Sequence, residues 1–335
     1  MNGLRKLILI TIFILLITSI SVFVVKATEP EDSDIDPTGL NLTSAAAIII
    51  DFDTGLVVYE FNSNEMRVPA SMVKMVAVYV IMDEIKSGTV NMDTVINITE
   101  RTAAFSFNRA FSNVPLLTDK AYTVKDLLEV VIVRSASAAT IALGDGIFGS
   151  EEKLVTKMNE KAIELGIPAF FKDSWGGSPD NRISARGMAD LTRALLKEHP
   201  EVLFFTSMIE VVFDEIPYRS TNLLLFEYNG VDGLKTGFTN PAGWCFTGTA
   251  NLGNRRIITV TMGSELGYRF SDSAVLLDHG FANINKVIAD KFRSTLQPED
   301  IFEITGSVLI PITMLNIYES QYLTMRDIAL ILNET

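Results

Sequence analysis

Strand-like runs stand near both ends of this sequence with helix-like runs between them, and that order limits the fold more than any other feature. Residues 45–50 form a short apolar run, Asp53-Thr54-Gly55 a turn and residues 56–59 a second run, which together read as a β-hairpin. Strands are expected to return near Leu223, and residues 243–250 and 255–262 flank the turn Asn251-Leu252-Gly253-Asn254 as another hairpin. Between these ends, residues 71–85 are apolar nearly all round, as a buried helix is, with Pro69 before them and Gly88 after. Residues 124–196 read as helices joined by loops, among them the Gly-, Ser- and Pro-rich stretch 173–181, and residues 270–281 read as a helix. The simplest closure is one antiparallel sheet made from both ends, flanked by helices and interrupted by an inserted helical region, an α+β architecture. A chain of 335 residues that is 48% hydrophobic can bury a large core, and it is neither a disordered tail nor a coiled coil.

The first 27 residues stand apart. Arg5 and Lys6 precede an uncharged run from residue 7 to residue 25, and Val25-Lys26-Ala27 offers a peptidase cleavage site. This is an export signal, or an uncleaved membrane anchor given the length of the run. Either way the basic flank stays inside and the bulk of the protein lies outside the cytoplasmic membrane, secreted, in the cell wall or anchored. Residues 28–44 follow as an acidic linker holding Glu29, Glu31, Asp32, Asp34 and Asp36. Setting aside the three positive charges of the first segment, the chain's net −13 becomes −16, which argues against nucleic acid as a partner. Beyond residue 285 the character changes; residues 307–310 suit a strand and residues 325–332 an amphipathic helix, in an extension of unknown role.

Elimination narrows the chemistry. Cys245 is the one cysteine, so no intrachain disulfide or multi-cysteine zinc site can form, and its place in Gly243-Trp244-Cys245-Phe246 reads as buried strand. The two histidines, His199 and His279, read as ordinary residues at helix ends, with no motif that would make either the base of a Ser-His-Asp triad. What remains is a serine activated by a lysine. In Ser71-Met72-Val73-Lys74 the i, i+3 spacing puts Lys74 one turn beyond Ser71 on the same helix face. Among Met72, Val73, Met75 and Val76 the lysine is desolvated, which makes its neutral, proton-accepting form accessible. Ser150-Glu151-Glu152-Lys153 fits the same spacing, but there a helix cap with solvated charges is the natural reading. Lys235-Thr236-Gly237 occurs once; a lysine and a hydroxyl can hold a carboxylate, and the glycine leaves a strand edge open to a peptide. Arg134-Ser135-Ala136-Ser137-Ala138-Ala139 is by itself only a helix start rich in small residues.

Taken in order, these three elements resemble the serine-type D-alanyl-D-alanine carboxypeptidases, the low-molecular-weight penicillin-binding proteins of peptidase family S11. The resemblance extends over Asp53-Thr54-Gly55, Arg67-Val68-Pro69-Ala70-Ser71, Lys157-Met158-Asn159-Glu160-Lys161-Ala162, Ser184-Ala185-Arg186 and, most specifically, Gly230-Val231-Asp232-Gly233-Leu234-Lys235-Thr236-Gly237. It spans roughly residues 45–281 and implies a β-lactamase/transpeptidase-like carboxypeptidase domain over residues 45–285. It further implies a hydrolase of cell-wall peptidoglycan metabolism, with consequences for cell shape. Ser71 would attack the carbonyl between the two terminal D-alanines of a stem peptide, Lys74 would take its proton, and Ser135 would relay a proton to the leaving D-alanine. Ser137, Lys235, Thr236, Gly237, Phe238 and Arg269 would bind substrate, with the Ser71 and Phe238 amides as the oxyanion hole. No metal or organic cofactor is implied, and β-lactams would be covalent inhibitors. The chain departs from the family at Ser137, where an asparagine is usual, and at Ala138, where an acidic residue is usual. Serine is shorter and lacks the amide donor, so weaker positioning of substrate is expected. A slow or non-catalytic penicillin-binding relative is therefore the alternative reading. A β-lactamase ranks below it, because no Glu-x-x-Leu-Asn stretch follows the second motif.

Overall fold

The computed structural model describes residues 39–253 and 255–295 and the short segments 302–304 and 307–309. The proposed export signal, most of the acidic linker and the amphipathic helix at 325–332 lie outside the described residues. Both ends of the described chain build one antiparallel sheet, as the run order requires. Its strands are β1 (Ala46–Asp51), β2 (Val57–Phe61), β3 (Val231–Thr239), β4 (Gly243–Leu252) and β5 (Arg255–Ser264), in the spatial order β2-β1-β5-β4-β3. In register, Ile48 faces Val260 and Ile50 faces Ile258 across the central pair, while Cys245 faces Gly237 and Phe246 faces Thr236 at the far edge.

Alternation along β1 decides the layering. Ala46, Ile48 and Ile50 point into one apolar cluster, Ala47 and Ile49 into another, so every residue of the strand is buried. A strand buried on both faces reads as an unbroken apolar run, which is how it stands in the sequence. Seven helices matter for the rest: α1 (Lys74–Lys86), α2 (Glu100–Ser106), α3 (Val124–Val133), α4 (Ser137–Leu143), α5 (Glu151–Glu164), α6 (Ala185–Glu198) and α7 (Arg269–Thr295). The cluster formed by Ala47, Ile49, Phe246 and Ile257 with Leu276 and Leu277 seats α7 on one face. The inserted region covers the other, with α1 at its centre, buried from Lys74 through Met82. Thr43 and Ser44 dock on α7 through Asp272, the Ser44 hydroxyl donating to its carboxylate at 2.6 Å.

Several local expectations need correction. The stretch near Leu223 is a short helix, Leu224–Glu227, and the strands close to it form a hairpin outside the main sheet, Glu210–Phe213 with Ile216–Arg219. Pro217 cannot donate to a ladder, which suits a two-stranded outlier better than a sheet interior. The helix expected over 270–281 runs from Arg269 to Thr295, so His279 is mid-helix, edge-on to the Tyr59 ring. His199 does end α6, but it is fully buried, and its Nε2 lies 2.7 Å from an Asp83 carboxylate oxygen. Ser307–Leu309 is a strand, paired with Phe302–Ile304. No described helix is long and apolar enough to cross a membrane.

Candidate active site

The chain enters α1 through a 3-10 turn, Ala70–Val73, that follows Pro69. Ala70 is held at φ +49°, a left-handed conformation unusual for a residue with a Cβ, and the next residue is Ser71. Such strain, of order 1–3 kcal/mol, persists where surrounding structure enforces it. Lys74, the first residue of α1, is completely buried, and its Nζ donates to Ser71 Oγ at 2.9 Å, to Ser137 Oγ at 3.3 Å and to the Trp175 carbonyl at 2.5 Å. Burial holds its pKa down to about 7, with the nearby Asp173 carboxylate opposing the shift.

Strand β3 forms the second wall. Gly237 packs so close to the turn that carries Ser71 that a Cβ there would come within 2.7 Å of the Pro69 carbonyl oxygen, so only glycine fits. Lys235 is 1% exposed, and burial, with Lys74 and Arg269 adding like charge, pushes its pKa well down. Thr236 Oγ1 lies 2.9 Å from Thr221 Oγ1. Arg269, the first residue of α7, donates to the Gly237 carbonyl at 3.3 Å and lies over the rings of Trp244 and Phe270. Its Nε is buried without a hydrogen-bond partner among the described residues, an unspent donor on a cationic group at the cleft.

The third wall is the turn between α3 and α4. Ser135 is 4% exposed and held at φ +64°, and Ser137 opens α4, 2% exposed. That helix start is anchored from outside its own element: the Ser137 amide donates to the Ser112 carbonyl and the Ala138 amide to Asn113 Oδ1. The walls enclose a cleft of about 250 Å³. Ser71, Ser135, Ser137, Thr236, Gly237, Phe238 and Arg269 line it, and Lys74 and Lys235 lie buried behind that lining. All nine residues singled out from the sequence thus converge on one place. The competing Ser150 instead caps α5, accepting from the Lys153 amide.

Sequence reasoning missed Phe111, Trp175, Thr221 and Trp244, which also line the cleft. Trp175 packs obliquely against Phe105 and edge-on to Phe111 on one side, and Trp244 lies tilted against Phe238 on the other. One signal was available: the chain has two tryptophans, and both stand here.

Comparison with known proteins agrees with this geometry. The family model described as D-alanyl-D-alanine carboxypeptidase, Peptidase_S11, matches residues 31–265. The D-alanyl-D-alanine carboxypeptidase DacF of Bacillus subtilis is 36% identical over 227 residues, 66% of this chain and 57% of that protein. DacC of Escherichia coli is 32% identical over 247 residues, 72% of this chain and 62% of that one. The chain therefore spans about three fifths of the length of these relatives. Among solved structures, PBP3 from Streptococcus pneumoniae, described as a peptidoglycan synthesis regulatory factor, superposes with a TM-score of 0.68 at 31% identity, covering 71% of each chain. Penicillin-binding protein D2 from Listeria monocytogenes, in its cefotaxime-bound form, superposes at 0.66 and 29% identity, covering 72% of this chain and 98% of that one. The α+β sheet-and-helix architecture is the one those structures have, and the chain belongs to the D-alanyl-D-alanine carboxypeptidase family, peptidase family S11.

Proposed function

We propose that this chain is a serine D-Ala-D-Ala carboxypeptidase that removes the terminal D-alanine from peptidoglycan stem peptides through an acyl-enzyme on Ser71. The observation that carries the reading is the buried Lys74 amine, 2.9 Å from Ser71 Oγ at a cleft lined by Thr236 and Arg269 with Lys235 buried behind them. Lys74 accepts the Ser71 proton as the hydroxyl attacks the penultimate carbonyl, and the Ser71 and Phe238 amides receive the oxyanion. Lys235, Thr236 and the unspent Arg269 Nε bind the terminal carboxylate, whose arriving negative charge offsets the burial and like charge that push the Lys235 pKa down. Ser135 passes a proton to the departing D-alanine, Gly237 keeps the strand edge open to the peptide, and water releases the acyl group. β-Lactams, which mimic the acyl-D-Ala-D-Ala terminus, acylate the same serine.

The test is D-alanine release from a diacetyl-Lys-D-Ala-D-Ala peptide, followed across pH. Lys74 works as the neutral amine, so kcat/KM should fall below about pH 7 and level off above it. Ser137 reaches Lys74 but lacks an amide for the substrate. Ser137→Asn should therefore raise kcat/KM roughly tenfold to a hundredfold, the worth of one hydrogen bond of about 1–3 kcal/mol in a dry site. An unchanged or lower value would mean that Ser137 is no handicap, and no turnover by either protein would sink the carboxypeptidase reading.

We place the site outside the cytoplasmic membrane, on the export reading of residues 1–27. Cleavage after Ala27 is expected, and N-terminal sequencing of protein from the native host reads it directly. An intact Met1 in a membrane fraction would establish an anchor instead.

A further inference from the structure

The 173–181 loop has a role that the motif serines and lysines do not account for. A neutral lysine amine has two N–H donors and one lone pair. For Lys74 to accept the Ser71 proton, its lone pair must face Ser71 Oγ, so both N–H bonds need acceptors elsewhere. Two are within reach: Ser137 Oγ at 3.3 Å and the Trp175 carbonyl at 2.5 Å. Trp175 supplies a backbone atom, so its position depends on whatever folds the loop.

Two carboxylates do that. Asp173 Oδ1 accepts from the Trp175 amide at 3.2 Å and the Gly176 amide at 2.6 Å, and its Oδ2 accepts from the Ser178 amide. Glu151, at the start of α5 and nearly buried, accepts at one oxygen from both the amide and the hydroxyl of Ser174, at 3.2 and 3.0 Å. Ser174 is fully buried. Gly176 closes the arrangement: at φ +91° it lies against the Ala70 carbonyl and the Ser71 amide, where a Cβ would clash.

We propose that Glu151 and Asp173 are positioning residues of the acylation step, which fix the Trp175 carbonyl on Lys74 so that the amine's lone pair faces Ser71. The inference rests on the reading of Ser71 and Lys74 as nucleophile and base. It concerns how the base is oriented, and neither carboxylate touches substrate.

A pH profile separates this role from a merely structural one. The carbonyl stabilises the ammonium form of Lys74, so releasing it should move the acid limb of acylation to lower pH while lowering the plateau. Asp173 on the loop acts on Lys74 directly, Lys235 on β3 faces it with like charge, and Arg269 beyond faces Lys235. Glu151→Ala leaves all three in place. The experiment measures acylation of the full chain by a fluorescent penicillin, with rate constant and binding constant resolved, from pH 5 to pH 9. For Glu151→Ala the acylation rate constant should fall about 10- to 100-fold with binding little changed. The limb should move down by at least half a pH unit, and Glu151→Gln, which keeps an acceptor oxygen, should recover most of the rate. Asp173→Ala should show the same fall and a larger limb shift, since it also removes the carboxylate whose charge acts directly on Lys74. A lower plateau with an unmoved limb would overturn the proposal, as would rates within threefold of the parent. If Glu151→Ala does not fold, Ser174→Ala tests the same link through the loss of one hydroxyl, with a rate loss of about three- to tenfold and a limb shift of the same sign. Its failure to show either would be equally decisive. A parent protein that is not labelled at all would overturn the nucleophile assignment and this inference with it. A labelled parent with indifferent variants overturns this inference alone.

Discussion

Ser71→Ala should abolish covalent labelling by a fluorescent penicillin while leaving the fold intact. Ser71 lines the cleft and its Oγ receives a hydrogen bond from Lys74, so the substitution removes the nucleophile and one acceptor but no core contact. Removing the atom that forms the acyl bond leaves no slower route to the same adduct, so the loss should be complete and not graded. Mass mapping of the labelled parent should place the adduct on the peptide containing Ser71. Undiminished labelling of Ser71→Ala, or an adduct on Ser150, would refute the assignment.

Lys74→Met should cut the acylation rate by about 10²–10⁴-fold, the usual contribution of a positioned base. It should also make the protein more stable. In the folded chain Lys74 titrates near 7, whereas its ordinary value is 10.5, so between those values the unfolded chain binds more protons than the native one. Stability of the parent therefore rises with pH across that window, and at neutral pH the buried amine costs on the order of 4 kcal/mol. Methionine fills a similar volume without the charge. Against that relief stand about 1–3 kcal/mol for the Trp175 carbonyl and Ser137 oxygen left short of a donor. The expected result is a higher thermal midpoint at pH 7 and a flatter dependence on pH from 7 to 10. A lower midpoint at pH 7 would mean that the lysine's hydrogen bonds outweigh its desolvation. Loss of activity together with gain of stability is the behaviour of a site that stores free energy for chemistry.

Much of this protein was legible in its sequence, because the controlling interactions are local or repetitive. The order of apolar runs fixed a two-ended sheet, since strands buried on both faces must appear as unbroken apolar segments. The Ser71-Lys74 spacing carried through to a 2.9 Å contact because one helical turn converts three residues into one face. Where sequence reasoning failed, the deciding contacts came from far along the chain. The helix beginning at Arg269 outran its expected end at Phe281, because Gly280, a stop signal when read locally, sits mid-helix where a Cβ would come within 2.6 Å of Ile257 on the sheet. His199 looked like an ordinary helix end, yet Asp83, 116 residues earlier, comes to 2.7 Å of its ring. The loop at 173–181 read as a connector. What it does depends on a backbone carbonyl reaching Lys74 from 101 residues away, and a backbone atom leaves no residue type to recognise. The sequence by itself determined the class of fold and singled out Ser71 and Lys74, the proposed nucleophile and base. The tertiary structure alone decided which acceptors the Lys74 amine meets, because their identity depends on distances between segments that no spacing along the chain encodes.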